Sequence, residues 1–94
     1  MIRVTVHRKF ADGLPSLSVS PWRGFRTAAR ASAAAIRLRA AETQQPGHER
    51  VAEYVVTYRW DTGRLRRDYY RAMDQAPPEY LRSETIDIEA AHEP

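Results

Sequence analysis

The stretch Val51-Ala52-Glu53-Tyr54-Val55-Val56-Thr57-Tyr58-Arg59-Trp60, followed by Asp61-Thr62-Gly63, decides the fold. Residues 51–60 are rich in β-branched and aromatic side chains, which favour a strand. The larger of them recur at every second position, so they share one face of that strand. The triplet at 61–63 is typical of a hairpin turn with glycine in the left-handed position. We therefore expect a long central strand that turns back into residues 64–73.

Two registers are open for this hairpin. A bulged turn pairs Tyr58 with Arg66, Tyr54 with Tyr70 and Glu53 with Arg71, whereas a two-residue loop pairs Trp60 with Leu65 and Val56 with Tyr69. A slip of one residue would reverse which face is buried. Residues 64–73 also carry apolar side chains at helical spacing, so a helix there stays open as an alternative.

Strands are predicted at both ends of the chain. Ile2, Val4 and Val6 alternate with polar residues, and a turn at Asp12-Gly13 leads to a second short strand in which Leu17 and Val19 alternate with serines 16, 18 and 20. Ile86 and Ile88 alternate in the same way and predict the last strand. Residues 77–81 are expected to be a loop with a single helical turn.

A helix is predicted between these strands. Ser20-Pro21 is a typical helix start, and Gln44-Gln45-Pro46-Gly47 is a typical end. Phe25, Ala29, Ser32 and Ile36 would form its buried face. The order predicts an α+β two-layer sandwich, with one α-helix packed on an antiparallel sheet of about five strands (ββαβββ). One domain would span 1–90, followed by a disordered tail at 91–94. The residues predicted to be largely buried are Val4, Val6, Phe25, Ile36, Val56, Tyr58 and Ile86.

Arginine dominates the charge: fourteen of the fifteen basic residues are arginine, and the formal net charge is +3. Residues 13–41 contain no acid, and four of their five arginines (Arg23, Arg26, Arg30 and Arg37) are spaced to form one basic stripe on a helix, whereas Arg39 falls on its apolar side. A second group interleaves arginine and tyrosine along the hairpin, as surfaces that bind single-stranded nucleic acid do. Alternatives stay open, because genome composition alone can enrich arginine and these side chains can pair internally. The predicted partner-binding residues are Arg23, Arg26, Arg30, Arg37, Tyr58, Arg64, Arg66, Arg67 and Tyr70.

Signals for catalysis, metal binding and cofactors are weak. The chain has no cysteine, and its three histidines are not spaced to bind one metal. Asp61-Thr62-Gly63 also occurs at the catalytic carboxylate of dimeric retroviral-type aspartic proteases, but no later glycine supplies that family's second element. We therefore expect a non-enzyme without metal or cofactor. The start of the chain lacks the apolar core of a signal peptide and no apolar run spans a membrane, so we expect a cytoplasmic location and no membrane partner.

The run Thr27-Ala28-Ala29-Arg30-Ala31-Ser32-Ala33-Ala34-Ala35-Ile36 lies between Leu17-Ser18-Val19-Ser20 and Glu53-Tyr54-Val55-Val56-Thr57-Tyr58. This layout resembles that of several small phage-encoded anti-CRISPR proteins. The group shares no sequence motif, so the resemblance assigns no functional residue. Many members are acidic whereas this chain is basic, which disfavours mimicry of DNA. The resemblance implies a non-catalytic inhibitor that binds a bacterial CRISPR effector subunit and blocks DNA or nuclease recruitment.

Two functions follow from the sequence as expectations. The first is a small binding protein, anti-CRISPR-like, whose partner is a protein or a nucleoprotein complex and whose contacts are the arginine stripe or the hairpin. The alternative is direct binding of RNA or DNA by the same residues. The two differ in salt dependence, because phosphate contacts weaken steeply as salt rises.

Overall fold

The structure is a computed structural model that describes residues 1–14, 17–18 and 20–87. Its elements in chain order are β1 (Ile2–Phe10), β2 (Leu17–Ser18), β3 (Arg23–Phe25), α1 (Ala28–Glu42), a 3₁₀ turn (His48–Arg50), β4 (Val51–Trp60), β5 (Arg64–Arg71) and β6 (Glu79–Asp87). The antiparallel sheet has the order β2-β1-β4-β5-β6, and β3 also pairs with β1. The predicted α+β class, with one helix on an antiparallel sheet and β4 at its centre, is confirmed.

The hairpin adopts the bulged register. Tyr58 pairs with Arg66, Tyr54 with Tyr70 and Glu53 with Arg71, so residues 64–71 form a strand rather than a helix. Gly63 has φ 92°, and its N–H donates to the carbonyl of Trp60 at 3.1 Å. A side chain at that position would be strained, and this explains why the turn needs glycine.

The core lies between α1 and the β1–β4 pair. Val4, Val6, Tyr54 and Val56 are fully buried there, and they pack against alanines of α1 because a helix with small residues can approach a sheet closely. Of the residues predicted to be buried, Val4, Val6, Val56 and Tyr58 are buried and Phe25 is half-buried.

Two burial predictions are wrong. Ile36 is 57% exposed and Ile86 is 40% exposed. The buried face of α1 carries Ala31, Ala34, Ala35 and Glu42 instead of the predicted set, and Ile36 lies about 100° beyond Ala35 around the helix. Ile86 lies opposite Leu65 on the edge strand β6.

The predicted start of the helix is also wrong. Ser20 is buried; its hydroxyl accepts from the N–H of Val6 at 2.8 Å, and its carbonyl accepts from the Thr5 hydroxyl at 2.6 Å. Ser20 therefore hydrogen-bonds to the edge of β1, between the residues of β1 that pair with β3 and those that pair with β2. Residues 23–25 then pair with residues 2–4 of β1. The helix is capped by Thr27, whose hydroxyl accepts from the N–H of Arg30 at 3.2 Å.

The last strand of the described chain is longer than predicted. Strand β6 begins at Glu79, so residues 79–81 are part of a strand and not of the predicted loop. A bulge between Tyr69 and Tyr70 accompanies this longer pairing. The predicted strand positions Ser16, Val19 and Ile88 and the predicted tail at 91–94 lie outside the described residues.

Candidate partner-binding surface

The sheet has two unlike sides. Helix α1 covers the side of β1 and β4 that carries the core, and no other helix within residues 1–14, 17–18 and 20–87 covers the opposite side, which we call the open face. Cross-strand pairs place Arg3 beside Arg59 there, and Val55 beside Tyr69. Although no helix covers it, the central residues of the open face are shielded from solvent: Val55, Thr57 and Tyr69 are all buried.

Three arginines and a tryptophan meet on the open face, and we call Arg3, Trp22, Arg59 and Arg67 the arginine–tryptophan cluster. Trp22 is 46% exposed. Its side chain lines a cleft of about 260 Å³ together with Arg3 and Arg59, and it also lines a second cleft of about 460 Å³ that contains Arg67. The tryptophan thus bridges the two clefts.

The arginines of this cluster make few attractive contacts with acids of the same chain, although the hydrogen bond from the N-terminal ammonium and also the charge of Arg3 lower the pKa of Asp61. In the described part of the chain none of Arg3, Arg59 and Arg67 makes an ion pair, although seven other cations do. Arg3 and Arg59 lie directly opposite each other on adjacent strands, an arrangement of like charges that destabilises a sheet. The pKa of His7 is lowered by burial and then by the positive charge of Arg67. The cluster therefore presents positive charge at the surface of the open face.

The structure distributes the sequence-predicted site residues over several surfaces. Arg23 lies in β3 and Arg26 in the link to α1, so the predicted four-arginine helical stripe is wrong; only Arg30 and Arg37 share a flank of α1. All four are exposed. Of the predicted partner-binding residues in the hairpin, only Arg67 lies on the open face, because its neighbours in β5 alternate to the other side.

The hairpin tyrosines are occupied within the fold. Tyr58 is 7% exposed, and burial together with the nearby Asp68 raises its pKa to about 12. Arg66 lies 5.5 Å from the Tyr58 ring and donates to Asp68 at 2.8 Å. The ring of Tyr70 is covered by Arg39, whose guanidinium carbon lies 3.9 Å from the ring centroid. Neither tyrosine offers a free ring face for a nucleobase. Arg64, on the same side of β5, is exposed.

Tyr69 on the open face is covered in the same way. Arg82 lies 3.8 Å from its ring centroid and Lys9 lies 5.8 Å from it. The phenol donates to Glu84 at 2.9 Å. Trp22 is therefore the large exposed aromatic side chain that this face offers within the described residues. Sequence reasoning missed it, together with Arg3 and Arg59, because their proximity depends on the pairing of β1 with β4.

A cluster of buried polar residues at the other end of the sheet stabilises the fold. Arg8 donates to the carbonyls of Pro46 and Glu42 and pairs with the Glu42 carboxylate at 3.7 Å. Both ring nitrogens of His48 are engaged, one by the Tyr54 hydroxyl and one by the carbonyl of Met73 at 3.2 Å. Burial raises the pKa of Glu42, and Arg8 opposes that shift. These contacts hold the C-terminal end of α1 to the sheet. The positive charge of Arg8 is favourable there because the C-terminal end of a helix carries partial negative charge.

Within the described residues, no helix is long and apolar enough to cross a bilayer, and no group of three or more histidines, cysteines or acids is placed to hold a metal ion. Comparison with protein-family models, with curated proteins and with solved structures finds no match.

Proposed function

We propose that this protein is a non-catalytic binding module that holds an acidic patch of a protein partner against its open face. The observation that carries the proposal is the arginine–tryptophan cluster. Arginine and tryptophan are the side chains that most often supply binding energy at protein interfaces. Two arginines that oppose each other across the sheet weaken it, and their presence has a physical reason if a partner's carboxylates pair with them.

The occupied tyrosines favour a protein over a nucleic acid. Sheet surfaces that bind single strands stack two or three bases on exposed rings. Here the rings of Tyr58, Tyr69 and Tyr70 are buried or covered by cations of the same chain. One exposed indole is better suited to anchor a pocket on a protein surface.

The specific form of the proposal is an inhibitor of a bacterial CRISPR effector, and it is supported by the resemblance in layout alone. In that form the basic open face would cover an acidic surface of an effector subunit and block DNA or nuclease recruitment. Expression of the protein in a CRISPR-immune bacterium should restore plaque formation by the targeted phage. The Arg3→Gln/Arg59→Gln/Arg67→Gln variant should fail to restore it, whereas Arg30→Gln/Arg37→Gln, on the flank of α1, should behave like the original.

The second candidate is direct binding of nucleic acid, favoured by the position of Trp22 in clefts that also contain Arg3, Arg59 and Arg67. Titration with single-stranded and duplex oligonucleotides at about 50 and 200 mM salt separates the two, because phosphate contacts lose affinity by orders of magnitude across that range. No binding at the lower salt supports a protein partner. Tight binding that falls steeply with salt and disappears in the triple arginine variant would overturn the protein proposal.

A further inference from the structure

A second cavity lies away from the open face, between the last turns of α1 and the loop that joins β5 to β6. We call it the helix–loop groove. Its volume is about 630 Å³, within the range of pockets that accept small organic molecules. The lining is mainly apolar, from Ile36, Ala40, Met73, Ala76, Pro77 and Pro78. The exposure of Ile36, which the core does not use, is explained if this side chain forms one wall of a binding site.

One cation stands in this apolar wall. Arg39 lines the groove and is half-buried. Its guanidinium rests on the ring of Tyr70 at 3.9 Å, which fixes its orientation while leaving the N–H groups at its edge free. Over the described residues, Arg39 makes no hydrogen bond and no ion pair. A partly buried guanidinium held without an anion is a ready partner for one carboxylate.

The opposite wall is shaped by an unusual backbone. Gln75 has φ 56°, a left-handed conformation that a residue with a side chain seldom adopts. Such conformations often mark ligand-binding segments. Next to it, His48 contacts the carbonyl of Met73 at 3.2 Å and thereby ties this wall to the buried polar cluster. The groove is thus held in shape from both sides.

We propose that the helix–loop groove binds a small organic acid, with an apolar body against Ile36 and Met73 and a single carboxylate on Arg39. The single arginine and the apolar lining disfavour polyanions such as nucleotides, whose several charges would leave water without compensation. This proposal is independent of the proposed function, because its residues do not include the arginine–tryptophan cluster.

The test uses 4-phenylbutyrate as the probe and 4-phenylbutanol as its uncharged match. Titration of the ¹⁵N-labelled full chain should shift amide signals of residues 73–78 and 36–44, with a dissociation constant of about 1 mM or below. The alcohol should bind at least about tenfold more weakly, because it offers the Arg39 guanidinium no charged hydrogen-bond acceptor. Arg39→Gln should cause a similar loss of affinity for the acid. Arg37→Gln, on an exposed flank of the same helix, is the matched control and should bind like the original.

Several results would overturn the proposal. One is the absence of any shift with about 10 mM phenylbutyrate, a concentration that would detect even weak binding. A second is equal affinity for the acid and the alcohol, a comparison made on the unaltered protein and therefore independent of whether Arg39→Gln folds. A third is Arg39-dependent binding of a peptide C-terminus combined with no binding of the small acid.

Discussion

Replacing Arg8 by methionine should lower the free energy of unfolding by about 3 kcal/mol, as expected when one partner of a buried ion pair is removed. The Arg8 and Glu42 side chains are only 10% and 12% exposed, and their charged atoms lie 3.7 Å apart. Methionine keeps much of the apolar stem. The substitution removes the two hydrogen bonds that Arg8 donates to the carbonyls of Pro46 and Glu42. A hydrogen bond from a charged donor is worth about 1.5 to 3 kcal/mol.

Urea denaturation followed by the fluorescence of Trp22 and Trp60 measures this loss. Arg3→Met is the matched control: Arg3 lies on the same strand but is exposed, so its replacement should change stability by no more than about 0.5 kcal/mol. Glu42→Gln and the double variant complete a mutant cycle. Loss of less than about 1 kcal/mol in Arg8→Met, or strict additivity in the cycle, would refute the interpretation of this cluster as a coupled cap of α1.

The same cluster predicts a pH dependence. Burial holds the pKa of Glu42 above its ordinary 4.5 in the folded protein. The folded state therefore binds this proton more tightly than the unfolded state, and the stabilisation is present below 4.5 and lost as pH rises through the folded pKa. Without Arg8 the loss should extend to higher pH. Stability of Arg8→Met measured between about pH 4 and 7 should fall with pH more than that of Arg8→Met/Glu42→Gln; parallel curves would contradict the assignment to Glu42.

Three further outcomes are expected. Val56→Ala, at a fully buried site, should cost about 1 to 3 kcal/mol in the same urea assay. Arg59→Gln should leave stability unchanged or raise it by about 0.5 kcal/mol, because it relieves the repulsion from Arg3, yet it should weaken partner binding; a clear loss of stability would show that Arg59 serves the fold. Ultraviolet titration should find that Tyr58 ionises near pH 12 and that burial also raises the pKa values of Tyr54 and Tyr70 above 10; stability should fall above pH 10, where the unfolded phenols ionise but the folded ones do not.

The parts of the fold that sequence predicts well are those set by local signals. The existence of the β4–β5 hairpin follows from the alternation in residues 51–60 and from the turn glycine Gly63. These signals leave two registers open, and the structure has the bulged one. The start of α1 was mispredicted because its cause is not local. Ser20 resembles a helix cap in sequence, but its hydrogen bonds go to Thr5 and Val6, about fifteen residues away.

The candidate surface was harder to predict for the same reason. Arg3 and Arg59 become neighbours only through the pairing of β1 with β4, and nothing in the residues around either one indicates that pairing. The predicted helical stripe shows the converse: a surface is predicted that the fold does not form. The spacing of its arginines is regular, but Arg23 lies in β3, before the helix begins. Periodicity therefore located elements better than it located the surface that they build.

Composition alone does not explain the arginines, since the fold gives them different roles. Arg39, Arg66 and Arg82 lie against tyrosine rings, and this contact protects apolar surface that a sheet with a single helix leaves uncovered. If an arginine were present only because of genome composition, we would expect its side chain to pack on a nearby ring or to pair with a nearby acid. Arg3 and Arg59 instead oppose each other beside an exposed tryptophan, where the arrangement raises the free energy of the fold. A feature that the fold would be more stable without is better explained by a partner, so the open face is the first place to look for one.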